Sequence, residues 1–248
     1  MAVILMVIYH FFFDLDYFGI LEMPAWFWSQ QLHGFPITIM FIGIAGASLA
    51  LSAFKAADAG SLIKKLIKRG AFIFGIGILI TAATWIYPHD GAILFGVLHL
   101  IGISTILAVP FLLRFTKEAQ VSGKYKEKQA WILPLVFGIA VISVSKIIEK
   151  MSGPIWVVPL GIHPSEFYSL DYEPLFPWFG VVLVGIAVGA WLYPKGERRD
   201  SFSFLKNEPP FLKWISFVGR HSLLIYLGHQ AVILGGVMLV EFIGFRSF

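Results

Sequence analysis

Long apolar runs alternate with short polar ones along this chain. A hydrocarbon core about 30 Å thick takes about 20 residues of helix at about 1.5 Å each. Six runs meet or approach that length: Gly34 to Phe54, Gly70 to Ile86, Ile93 to Phe115, Gln129 to Ile148, Leu175 to Tyr193 and Leu223 to Phe242. The opening run, Ala2 to Phe13, is too short to cross alone, so either it extends through the Asp14 to Ile20 stretch or further residues precede it. The pattern predicts an all-α protein, a polytopic transmembrane helix bundle of about seven spans with the first incomplete, forming one domain over residues 1–248.

Composition strengthens that reading. Hydrophobic residues make up 58% of the chain and the mean hydropathy is +0.80, beyond what a soluble domain can bury, so the surplus faces lipid. Cysteine is absent, which excludes disulfides, thiolate metal sites and an acyl group carried on sulfur. The N-terminus shows neither a basic n-region nor a small-residue cleavage site, so it does not read as a removable signal peptide.

Charge gives the expected orientation. The segments Lys55 to Arg69, Arg114 to Lys128 and Lys195 to Arg220 hold five, five and six of the 19 basic residues, and short basic loops stay in the cytoplasm. Asp14 to His33, Tyr87 to Asp90 and Glu149 to Glu173 hold three, one and four of the 15 acidic residues. These, with the C-terminus, are expected outside. Within Ser61 to Arg69, Leu62, Ile63, Leu66 and Ile67 recur at helical spacing between Lys64, Lys65, Lys68 and Arg69, the pattern of an interfacial basic helix. Such a helix either anchors to anionic lipid or offers cations to an anionic nucleotide.

Ionisable groups at membrane depth are expensive, which makes them candidates for function. His10 ends the opening run, and Asp14 follows one helical turn later on the same face, where a carboxylate can fix an imidazole tautomer and raise its basicity. The alternative is an interfacial histidine with an unrelated acidic neighbour. His99 lies inside Gly96-Val97-Leu98-His99-Leu100-Ile101-Gly102, where it either lines a cavity or makes an interhelical hydrogen bond that fixes packing. His229 follows Tyr226 and precedes Gln230 in the last run, and could line the same cavity as His10 or bond a neighbouring helix. His33, His89, His163 and His221 sit at boundaries or in loops and read as interfacial. Tyr17, Trp26, Trp28, Trp85, Tyr87, Trp156, Tyr168, Tyr172 and Trp178 read first as an aromatic belt. A sugar-stacking platform is the second reading, with Glu166, Asp171 and Glu173 either attracting an amino sugar or simply solvated. No HExxH, no phosphate-binding glycine loop and no Gly-x-Ser-x-Gly occurs, and no metal site is expected.

The opening AVILMVIYHFFFDL, residues 2–15, resembles the first helix of the family named for heparan-α-glucosaminide N-acetyltransferase. ILFGVLHLIGIS at Ile93 to Ser104, PLFPWFGVVLVG at Pro174 to Gly185 and GRHSLLIYLGHQ at Gly219 to Gln230 resemble it too, so the resemblance runs from end to end. Such proteins usually carry an Arg, Asp and Arg-Gly pattern ahead of that helix, and this chain begins after the point where it would stand. The resemblance implies a transmembrane acyltransferase that takes an acyl group from cytoplasmic acyl-CoA and passes it to a saccharide outside, with the histidine ending the first helix, here His10, as the catalytic residue.

The leading expectation is therefore a multi-pass plasma-membrane acyltransferase using acetyl-CoA or another acyl-CoA as donor substrate, with a saccharide or amino sugar as acceptor. His10 would act as general base or transient acyl carrier, oriented by Asp14. His99, His229 and Gln230 would line the path, while Lys68, Arg69 and Arg220 would pair with CoA phosphates. The rival class is a proton-coupled transporter or channel built on the membrane histidines, although no inverted repeat of the transporter kind stands out. A noncatalytic membrane subunit is the third reading. The expected partners are bilayer, acyl-CoA and acceptor, not nucleic acid, and the oligomeric state, a homo-oligomer included, stays open.

Overall fold

Backbone amides have no water to bond in hydrocarbon, so a long apolar run satisfies them within itself by forming a helix. In a computed structural model that describes residues 2–24, 27, 34–87, 89–126, 129–199 and 210–242, all the regular elements are helical. They are α1 (Ala2–Tyr17), α2 (Gly34–Phe54), α3 (Ala59–Ile86), α4 (Val97–Leu107), α5 (Val109–Leu112), α6 (Lys117–Val121), α7 (Ile132–Ile148), α8 (Leu175–Leu192), α9 (Pro210–Arg220) and α10 (Ser222–Phe242). Three short 3-10 turns join them. Among the described residues no strand forms, only an isolated bridge between Ser152 and His163.

Among the described residues four helices, α2, α3, α8 and α10, are long and apolar enough to cross a bilayer, and α4 with α5 makes a fifth if the bent pair is one span. Length and composition among the described residues do not confirm the expected count of about seven. α7 is apolar but shorter, and α1 does continue past Phe13, yet 16 residues rise only about 24 Å. The bend between α4 and α5 is 52°. Pro110 accounts for it, because proline lacks the N–H and its ring collides with the carbonyl four residues back.

The basic segment ahead of Gly70 is not a separate interfacial helix. It is the first third of α3, which starts at a capping box: Ser61 N–H donates to Asp58 Oδ1 at 2.9 Å, and Asp58 N–H donates to Ser61 Oγ at 3.4 Å. No breaker interrupts the next 28 residues. Leu62, Leu66, Gly70, Ile73 and Gly77 form the buried stripe, leaving Lys64, Lys65, Lys68 and Arg69 exposed. Another departure is α9, an amphipathic helix in a segment that sequence had assigned only as basic and hydrophilic. Its Trp214 and Phe217 are exposed.

The chain divides into two compact units, Met1–Phe41 with Ser203–Phe248, and Ile42–Phe202. In the larger unit helices touch backbone to backbone where glycines remove the side chain. Gly138 of α7 and Gly180 of α8 face each other so closely that a Cβ on either would lie 2.8 or 2.6 Å from the other's carbonyl oxygen. On α8's other side, a Cβ on Gly185 would press into the backbone of Gly43 on α2, and one on Gly46 into the Val182 carbonyl. α3 and α4 meet in the same way, with Gly70 against Gly102. Dispersion between such close backbones is what drives helix association where lipid is as apolar as leucine. The Glu149 to Glu173 segment is tied to the start of α4: Leu170 N–H donates to Gly91 O at 2.8 Å and Glu173 N–H to Phe95 O at 3.0 Å.

In the smaller unit α1 packs along α10. The contact stripe of α1 is Ala2, Val3, Met6, His10 and Asp14, repeating at helical spacing, of which all but His10 are fully buried. On α10 the sheltered positions are Tyr226, His229, Gln230, Ile233, Leu234 and Val237, while Leu224, Val232, Met238 and Leu239 stay exposed.

The glycine contacts give a paired test on one interface. Gly185→Ala drives a methyl into the α2 backbone and is expected to cost about 1–3 kcal/mol. Gly43→Ala, whose Cβ meets nothing within 4 Å, gains about 0.5–1 kcal/mol of helix propensity. Thermal unfolding midpoints in detergent check the order, with the Gly185 variant lowest.

Candidate active site

The sequence offers an imidazole and a carboxylate one turn apart on α1, and α10 brings a second imidazole and an amide to the same place. His10 and His229 meet edge to face with ring centroids 4.9 Å apart and planes at 67°. His10 Nδ1–H donates to the Met6 carbonyl one turn back at 2.9 Å. His229 Nδ1–H donates to the Tyr226 carbonyl at 2.7 Å. A carbonyl can only accept, so in each neutral ring the proton sits on Nδ1 and the lone pair on Nε2. The pair therefore presents two basic nitrogens. His229 Nε2 and Gln230 Oε1 are buried without any hydrogen-bond partner.

The orienting role expected of Asp14 falls to the Met6 carbonyl instead. A helical side chain leans toward the N-terminus of its helix, so the His10 ring reaches back to residue 6 rather than forward to residue 14. The Asp14 carboxylate, only 3% exposed, is engaged from the other helix: Gln230 Nε2–H donates to both Oδ1 and Oδ2 at 3.0 Å. Sequence placed His10, Asp14, His229 and Gln230 among the site residues, and the fold brings all four together. It could not show the Met6 and Tyr226 carbonyls, because backbone acceptors leave no mark in residue identity.

His99 belongs to the larger unit and is built differently. Its Nδ1 accepts from Gly96 N–H at 3.3 Å, closing the first turn of α4. Its Nε2–H donates to Thr81 Oγ1 at 3.3 Å, and that hydroxyl donates in turn to the Ile93 carbonyl. The ring lies flat on Gly77, where a Cβ would come within 3.0 Å, between Phe74 and Phe95 at 5.3 and 5.6 Å. Nε2 thus ties α4 to α3, the interhelical bond that was one of the two roles sequence left open, while Nδ1 caps α4's own first turn.

Of the expected phosphate-binding cations, Lys68 and Arg69 are exposed on α3 beside Lys64 and Lys65, and none of the four forms an ion pair among the described residues. Arg220 ends α9, exposed, its Nε–H donating to Ser216 O at 3.4 Å. Among the acids of the Glu149 to Glu173 segment, Asp171 is not simply solvated: its Oδ2 accepts from Val97 N–H at 3.1 Å, where a carboxylate suits the positive end of α4. Tyr172 donates its hydroxyl to the Val158 carbonyl at 2.8 Å, and burial pushes its phenol up to about 12, which keeps that donor protonated. His163 rests between Phe167 and Tyr172. His33, Trp26 and Trp28 lie outside the described residues. No group of three or more metal-ligating side chains occurs among the described residues.

One comparison with known proteins decides the class. Residues 1–231 match the family model described as heparan-alpha-glucosaminide N-acetyltransferase, catalytic. The chain belongs to that family. The match begins on α1 and ends one residue past Gln230, so it takes in both halves of the imidazole pair. Apolar helices and membership together fit an integral membrane acetyltransferase, and nothing supports the transport alternative. The curated proteins and the solved structures yielded no match.

The two histidine environments separate by mutation. His99→Ala orphans the Gly96 amide and opens the α3–α4 contact, a loss of about 1–3 kcal/mol for the unpaired group alone. His229→Ala removes an unpartnered Nε2 and one Nδ1–H bond to a carbonyl of its own helix, and its drop in thermal midpoint is expected to be clearly smaller.

Proposed function

We propose that this protein moves an acetyl group from cytoplasmic acetyl-CoA to an extracytoplasmic acceptor, a saccharide or amino sugar, with His10 as the catalytic base. The observation that carries the reading is the His10–His229 pair, whose Nδ1 atoms are both tied to backbone carbonyls so that both Nε2 atoms are turned to acceptor duty. Buried acceptors without donors, His229 Nε2 and Gln230 Oε1, suit a ligand that brings N–H or O–H groups, as an amine or hydroxyl nucleophile does.

Acetyl-CoA supplies the activated acyl carbon. His10 Nε2 removes the proton from the acceptor nitrogen or oxygen as the new C–N or C–O bond forms, and returns it to the sulfur as the C–S bond breaks. His10 acting instead as transient acyl carrier uses the same free nitrogen. His229 and Gln230 line the acceptor's seat, and Asp14 joins the site through Gln230. The unpaired cations Lys68 and Arg69, with Arg220, suit the phosphates of the donor, Arg as a bidentate fork and Lys as a point charge. His99 contributes by fixing α3 against α4.

The membrane arrangement follows from charge. Counting α1, the bent α4–α5 pair and α7 with the four long helices gives a seven-span chain in the plasma membrane, basic segments inside. α9, with Trp214 and Phe217 exposed, would then lie in the inner headgroup region, where amphipathic helices bind.

His10→Ala in purified protein is expected to lower acetyl transfer by about 10²–10⁴, the worth of a positioned base. It should still gain thermal stability from acetyl-CoA, about 2.7 kcal/mol at 100 times Kd. Full turnover in that variant removes the assignment, and absence of any acetyl-CoA stabilisation in the unaltered protein removes the reaction.

A further inference from the structure

We propose that Asp14 and Gln230 form a clasp that seats α10 on α1 and so sets the His229 ring against His10, Asp14 being a positioning residue that acts through the Gln230 amide and so through the imidazoles. The proposal rests on the acyl-transfer reading for its turnover arm only.

Gln230 reaches both carboxylate oxygens of Asp14 at 3.0 Å, across 216 residues of sequence. Asp14 is fully buried, and this amide is its side chain's hydrogen-bond partner. The amide nitrogen donates and the carboxyl oxygens accept, while Gln230 Oε1 is left without a partner.

Position gives the clasp its consequence. Gln230 is the next residue after His229, and Asp14 lies one turn beyond His10, so the bond is a neighbour of the ring contact on both helices. Turning α10 by one residue, about 100°, or sliding it one residue along its axis separates the rings. Apolar neighbours alone do not prevent such a slip, because leucine against lipid and leucine against helix are nearly equivalent. A buried carboxylate does prevent it, since losing its donor where water is scarce leaves two polar groups orphaned. The Met6 carbonyl fixes the tautomer of His10. The clasp fixes which face of α10 that ring meets.

The test uses the full chain, whose lack of cysteine allows spin labels at Phe11→Cys on α1 and Val232→Cys on α10, both exposed positions. Gln230→Ala and Asp14→Ala are expected to broaden or shift the label-to-label distance and to lower kcat about tenfold to a hundredfold, the cost of misplacing a reacting group by about 1 Å, with KM for acetyl-CoA unchanged. Asp14→Asn, whose amide can still pair with Gln230, should return a narrow distance distribution and most of the lost kcat. A narrow distance with no recovery of kcat in Asp14→Asn overturns the proposal, because the carboxylate would then serve the chemistry itself. An unchanged distance in Gln230→Ala overturns it too. If the unaltered protein transfers no acetyl group, the acyl-transfer reading fails, while the distance measurement still decides the clasp.

Discussion

Hydrocarbon supplies no hydrogen bonds, and that constraint governs this chain more than any single contact. It makes the long apolar runs helical, because only a helix satisfies its own amides. It also sorts the polar side chains. Each one at membrane depth must find a partner inside the protein, so the few that do not are conspicuous. His99 shows the rule kept: Gly96, Thr81, Phe74, Phe95 and the bare surface of Gly77 enclose it completely. His229 and Gln230 show it broken, each with a buried acceptor left open. The contrast separates a histidine that holds helices together from one with capacity to spare.

Fold and chemistry divide the work between glycine and histidine. In the larger unit, Gly138 with Gly180, and Gly185 against the α2 backbone, let backbones meet, giving rigid contact without polar groups. In the smaller unit, α1 and α10 meet through apolar residues and one polar group, His10, Asp14, His229 and Gln230, joined by the Asp14–Gln230 hydrogen bonds. Pinning each imidazole by its Nδ1 to its own helix's backbone is economical, since the acceptor is always present and needs no further side chain.

Much of this was legible in the sequence, and the failures have physical causes. The bounds of α2 and nearly those of α8 and α10 follow from apolar length alone. His10, Asp14, His229 and Gln230 stood out because ionisable and amide groups are rare in apolar runs. The continuous α3 was missed because lysines at its start read as a surface, whereas the Asp58–Ser61 box begins the helix well before the apolar run does. α9 was hidden inside a basic segment, although apolar residues at 211, 212, 214, 215, 217 and 218 carry its period. Spacing paired Asp14 with His10, since both lie on one face. It could not know that another helix would supply a nearer partner.

The account turns on where the protons sit in two rings. Nitrogen-15 magnetic resonance of histidine-labelled protein in lipid bilayers, with His10 and His229 assigned by single substitution, reads this directly at a pH where the rings are neutral. The expected spectrum has the proton of both rings on Nδ1 and a bare Nε2, with His99 the opposite tautomer. A proton on Nε2 of His10 would contradict the account, for that ring could then accept nothing from a substrate.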